Sequence, residues 1–218
     1  MKKNFLMTAL VSLFTVVAIS SCNKDDDDDD QGGGIDNTIT ATVENGSSLN
    51  GKIDLVEVVV YRENGISHAV ASAPYSNGGF TLTLPETVGD MYLDAFEDMP
   101  VTMTVSDYNV KTSQADIRAS KAGVKTGWFY HGTPEWAGIL IYSTGDVSVT
   151  GTSTDTYTYD ANEDGVNETY TEIWKYDVQL KKGWNMMYIK EIEKGNNTIE
   201  CENNSIVPSG AKWYYEED

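Results

Sequence analysis

The chain has 218 residues, with 15 basic side chains against 34 acidic ones for a net charge of −19, and two cysteines. A balance this acidic excludes nucleic acid, whose phosphates it would repel, and excludes charge-driven docking on anionic lipid. It suits solubility and divalent cations. Two cysteines cannot build a disulfide scaffold, so stability has to come from a hydrophobic core.

The first stretch reads as an address. Lys2 and Lys3 precede an apolar run from Phe5 to Ile19, which is shorter than the roughly 20 residues a spanning helix wants. Ser20 and Ser21 follow, so the order is that of a secretory signal: basic start, apolar middle, small residues. Ile19-Ser20-Ser21-Cys22 resembles the lipobox of bacterial lipoproteins. That resemblance implies cleavage before Cys22 and a diacylglycerol on its sulfur. The alternative is an ordinary signal peptide with a chance cysteine. Acyl chains at about 0.8 kcal/mol per buried methylene would hold the protein on a bilayer without a spanning helix.

Asp25 to Asp30 come directly after Asn23-Lys24. An acidic cluster in this place resembles the export signal of surface-exposed lipoproteins of Bacteroidetes. It implies the outer membrane with the protein facing the exterior; the periplasmic face is the alternative. By composition alone, Asp25–Asp30 with Gln31 to Gly34 make a self-repelling, flexible linker. The expected layout is a leader over 1–21, a tether over 22–36 and a folded part over 37–218, which is enough chain for one sizeable domain or two small ones.

The folded part reads as strand after strand. Thr38 to Val43 is β-branched and alternating, and Asn45 to Ser48 turns the chain. Ile53 to Tyr61 is apolar on nearly both faces and predicts a central strand covered on two sides. Asn64-Gly65 signals a hairpin leading to a strand over Ser67 to Ala73. After the turn at Asn77-Gly78-Gly79, Phe80, Leu82 and Leu84 share one face. Short strands are expected over Met91–Phe96 and Val101–Val105. The cadence from Ile53 to Phe96, with Gly79-Phe80-Thr81-Leu82-Thr83-Leu84-Pro85 inside it, resembles transthyretin-like or carboxypeptidase-regulatory β-sandwich modules. That likeness implies a fold more than a function.

Beyond it the β pattern continues: a polar stretch over Val110–Lys121, an aromatic one over Gly127–Gly132, and an apolar one over Gly138–Tyr142. Asp146 to Thr150 alternates, and Thr154–Tyr159 with Glu168–Leu180 reads as two arms of one hairpin. Leu180-Lys181-Lys182-Gly183-Trp184-Asn185 before an apolar strand resembles Bacteroidetes lipoproteins of unknown function and carries no activity with it. No apolar 3.6-residue period after Cys22 is long enough for a helix. The expected fold is all-β, an antiparallel β-sandwich, either one domain or two packed β subdomains divided near 107–122.

Three chemistries offer candidates. Asp160-Ala161-Asn162-Glu163-Asp164-Gly165-Val166-Asn167-Glu168 places oxygens at alternate positions before a glycine, which suits calcium. Position twelve is Thr171 and the flanks are strands, which removes a true EF-hand. A calcium loop on Asp160, Asn162, Asp164 and Glu168 competes with a plain hairpin tip, where Asp-Gly is the expected turn. Sugar stacking rests on Trp128, Tyr130 and Trp136, with Trp184 in a similar glycine-rich setting. Alternating aromatics such as Trp174 and Tyr176 read instead as core.

Catalysis has only His68 on a strand and His131 in a loop to draw on, and no nucleophile elbow, His-Glu-x-x-His or phosphate loop. Cys201 in an alternating run reads as a buried small hydrophobe. The sequence points to a non-enzymatic, lipid-anchored surface protein. Its partner is a membrane through the anchor, together with a glycan or small ligand or, alternatively, a surface protein.

Overall fold

Side chains that alternate between faces sort this chain into strands, and the computed structural model describes residues 34–62, 65–96, 99–160 and 165–218 of it. The leader, Cys22 and Asp25–Asp30 lie outside the described residues. In chain order the first strands are β1 (Thr38–Thr42), β2 (Leu55–Tyr61), β3 (Ser67–Pro74), β4 (Gly79–Thr83), β5 (Asp94–Ala95), β6 (Met103–Val105) and β7 (Lys111–Lys121). They continue with β8 (Val124–Gly132), β9 (Ala137–Ser143), β10 (Val147–Tyr159), β11 (Glu168–Leu180), β12 (Gly183–Gly195), β13 (Thr198–Asn204) and β14 (Lys212–Glu217). The helical pieces are short 3-10 turns at Gly46–Leu49 and Asp90–Tyr92.

The protein is all-β, with two sheets packed together. The smaller sheet is β1 with β4, antiparallel. The larger runs β3-β2-β7 and then forks. Thr112–Ala115 of β7 pair with β9, while Ile117–Lys121 pair with β8, which carries β14 on its far edge. From β9 the sheet continues through β12, β13, β11 and β10 to β6. Against the antiparallel expectation, β11 and β13 run parallel.

Two hydrophobic clusters explain the layers. In the first, Ile39, Ala41, Phe80 and Leu82 of the small sheet meet Val56, Val58 and Val60 of β2, Ile117 of β7 and Phe129 of β8. In the second, Val147 and Val149 of β10 and Val178 and Leu180 of β11 close over Ile141 of β9. β9 therefore has both faces covered, Leu140 and Tyr142 in one cluster and Ile141 in the other, which is why its sequence is apolar without alternation. β2 is central as expected, with Val56, Val58, Val59 and Val60 fully buried between β3 and β7.

Three expectations need correction. Met91–Phe96 is a 3-10 turn plus the two-residue β5, because pairing there is limited to Asp94 with Thr112 and Ala95 with Lys111. His131 lies on β8, not in a loop. Trp184 is no exposed platform: it is 1 % exposed, its indole N–H donates to the Pro85 carbonyl at 2.8 Å, and its ring meets Tyr142 edge-on.

The turn before Trp184 is built by Asn185. That side chain accepts from the Lys181 N–H at 2.8 Å and donates to the carbonyls of Lys181 and Gly183. Gly183 takes φ +101°, which a side chain would resist. Cys201 is buried as expected. Burial, helped by the Glu191 and Glu172 carboxylates, pushes its thiol up to about 12, so it stays protonated and unreactive.

Candidate functional site

The half of the large sheet made by β2, β7, β8 and β14 packs its inner residues on the first cluster. Strand alternation turns the residues between them to the opposite face. Register fixes which side chains line up there. Glu57, Arg118, Trp128 and Glu216 form one row across the four strands. In the next row Val59 lies opposite Asp116, and Tyr130 opposite Tyr214. Tyr61 stands one step further along β2 on the same face.

These groups are tied to each other. Arg118 and Glu57 pair at 2.9 Å. The Tyr61 hydroxyl donates to Asp116 Oδ2 at 2.8 Å. Tyr130 and Tyr214 stack with centroids 5.3 Å apart and planes 21° from parallel. The Lys125 ammonium lies 3.8 Å from the centre of the Trp128 ring and also pairs with Asp218 at 2.7 Å. The result is an aromatic and charge-paired face, half-buried and backed by a rigid core. Its rings can stack on an apolar ring face, and its paired guanidinium and carboxylate can hold hydroxyl groups.

Burial raises the pKa of Asp116, although the Tyr61 hydrogen bond and Lys125 pull it down. Burial also raises Tyr61, with Asp116 adding to it. Tyr130 is raised by burial, then by Glu216 and Tyr214. A raised carboxyl pKa means that the folded chain binds the proton more tightly than the unfolded chain. Stability from Asp116 is thus fully present below the ordinary value of 3.8 and is lost as pH rises through the folded value. Asp116→Asn, which keeps an acceptor for Tyr61, is expected to melt above the wild type at pH 7. The gap should close below about pH 4, as differential scanning calorimetry would record.

Trp128 and Tyr130 thus share one face, as side chains two apart on a strand must. Trp136 does not join them. It follows the β8–β9 turn, where Thr133 Oγ1 accepts from its backbone N–H at 3.2 Å, and it packs against the first cluster on the other side of the sheet. Glu57, Tyr61, Asp116, Arg118 and Tyr214 are the members that sequence reading missed. Their signal was alternation with Val56, Val58, Val60 and Ile117, but nothing local said that β14 would lie beside β8.

At the proposed calcium loop, Asp160 Oδ2 accepts from the Gly165 N–H at 2.7 Å, and Glu168 sits opposite Tyr159 in the hairpin. Asn162 and Asp164 lie outside the described residues.

A second aromatic surface sits on the β10–β11 arm. Beyond Thr171, where β13 stops pairing, the described arm continues as the two strands alone. Tyr157, Tyr159 and Tyr170 stack there with planes 13° to 28° from parallel. Glu172 clamps the base of the group, accepting from the Tyr157 hydroxyl and from the Trp174 indole N–H. No family model, characterised protein or solved structure matches this chain.

Proposed function

We propose that the protein is a lipid-anchored, glycan-binding protein of the outer bacterial surface that holds its ligand on the open face of β2, β7, β8 and β14. The observation that carries this reading is the convergence of Trp128, Tyr130 and Tyr214 on the Arg118–Glu57 and Tyr61–Asp116 pairs. Sugar rings have an apolar face and a rim of hydroxyls, and this surface offers partners for both. It acts by binding and not by catalysis.

A glycan array should give hits with the full chain. Trp128→Ala should weaken the best hit by about tenfold, as loss of a stacking ring worth up to 1.5 kcal/mol implies. Unchanged affinity in a folded Trp128→Ala protein would remove the open face from the reading. Anchoring is tested separately. A labelled fatty acid should appear on the wild-type chain and be absent from Cys22→Ser. Label on both, or on neither, would contradict it.

One observation favours a second reading, an adhesive surface protein with protein partners. The arm presents Tyr157 and Tyr159 at 39 % and 48 % exposure. Such a protein would retain surface proteins in pull-downs through Tyr157 and Tyr159 and give no glycan hits.

A further inference from the structure

Opposite the open face, His131 and Trp213 point from β8 and β14 toward a cleft of about 270 Å³, whose lining also includes Met186 and Tyr188 of β12 and Thr38 of β1. That is smaller than the roughly 300–1,000 Å³ of sites for drug-sized molecules. We propose that this cleft is a second binding site, for a single neutral, hydroxyl-rich ring such as one hexose unit.

The hydrogen bonding of the cleft is set by one buried pair. The Tyr188 hydroxyl lies 2.8 Å from His131 Nδ1. Tyr188 is 1 % exposed and burial pushes its pKa up to about 12, so it keeps its proton. His131 is the one partner of that hydroxyl among the described residues. A buried hydroxyl that only accepted would leave its own proton without a partner, so the arrangement that satisfies the pair has the hydroxyl donating to Nδ1. The neutral imidazole then carries its proton on Nε2. That nitrogen has no partner among the described residues, and the ring lines the cleft. Burial lowers the His131 pKa from 6.5, which keeps the ring neutral at pH 7.

The remaining lining supports the same ligand. Ser205 Oγ accepts from the Gln179 N–H at 3.0 Å, which leaves its own proton to donate. Thr38 adds a hydroxyl at the rim, while Met186 and the Trp213 ring supply apolar surface. No Asp, Glu, Lys or Arg is among the described residues lining the cleft, in a chain whose net charge is −19. An ionic ligand would find no counter-charge. A compact molecule with an apolar face and several hydroxyls finds both hydrogen-bonding groups and apolar surface in this lining. This site is separate from the open face, since His131 alternates with Tyr130 along β8.

The test uses the full chain with methyl-labelled methionine and the methyl glycosides of glucose, galactose and mannose as probes, with glucuronate as the charged control. At least one glycoside should shift the Met186 methyl resonance, whether or not the Trp128 indole resonance also moves. Thr38→Trp, which fills the cleft from an exposed position, should weaken that glycoside at least tenfold. His131→Phe, which keeps the ring but not the donor, should do the same. Glucuronate should not compete. The proposal is overturned if no glycoside moves Met186, if affinity is unchanged in Thr38→Trp, or if glucuronate binds as well as the neutral sugars. Each of those results is read at Met186 and is independent of what the open face binds.

Discussion

Trp184→Ala is expected to lower the unfolding free energy by about 3–5 kcal/mol, the range for removing a buried tryptophan side chain. The residue sits where β12 enters the first cluster, at 1 % exposure, with Tyr142 against its ring and the Pro85 carbonyl on its N–H. Truncation removes apolar contact and an indole donor together. Whole domains hold only about 5–15 kcal/mol, so this one change takes a large share. Urea titration should show a lower midpoint with an unchanged slope. A loss under about 1 kcal/mol would mean that the ring is not in the core.

Asn185→Leu is the second large effect. The side chain is fully buried and makes three hydrogen bonds to the backbone of Lys181 and Gly183. Leucine fills similar space and makes none of them. At roughly 1 kcal/mol for each bond, the expected loss is about 3 kcal/mol. Gly34 also bridges to Asn185, and the Ile35 N–H donates to the Trp184 carbonyl, so the same change should loosen the start of the folded chain. Hydrogen exchange should show faster exchange at Ile35 and Lys181 in Asn185→Leu. Protection equal to the wild type would contradict this account of the turn.

Both residues come from the Lys181–Asn185 stretch, and they show where reading the sequence stops. Strands were legible wherever one face is apolar and the other polar. Phe80, Leu82 and Leu84 do face the core, and the two arms over 154–159 and 168–180 do pair, in the longer hairpin of β10 and β11. β8 was harder, because Trp128 and Tyr130 alternate with Phe129 and His131. Both faces are aromatic, so the pattern cannot say which is inside. The answer depends on the small sheet, whose Phe80 contacts Phe129 at 5.0 Å between ring centres.

Trp184 misled for a related reason. A glycine before an aromatic suggests a loop, but Asn185 closes that loop with its own side chain and turns the indole inward. The open face was half legible: Trp128 and Tyr130 are local, whereas Glu57, Arg118 and Tyr214 are brought beside them by long-range pairing. Trp136 shares with them a setting of nearby glycines and loops, where a ring could be exposed, yet Gly132 and the turn after it carry Trp136 to the other side of the sheet.

The central claim is that ligand sits on the β2–β7–β8–β14 face. The chain has five tryptophans, so it has five indole N–H resonances to follow by nuclear magnetic resonance. On titration with an oligosaccharide selected from the array, the Trp128 resonance should shift to saturation while the buried Trp184 resonance stays in place. A titration in which Trp128 is silent and Trp174, at the base of the tyrosine arm, moves instead would contradict it.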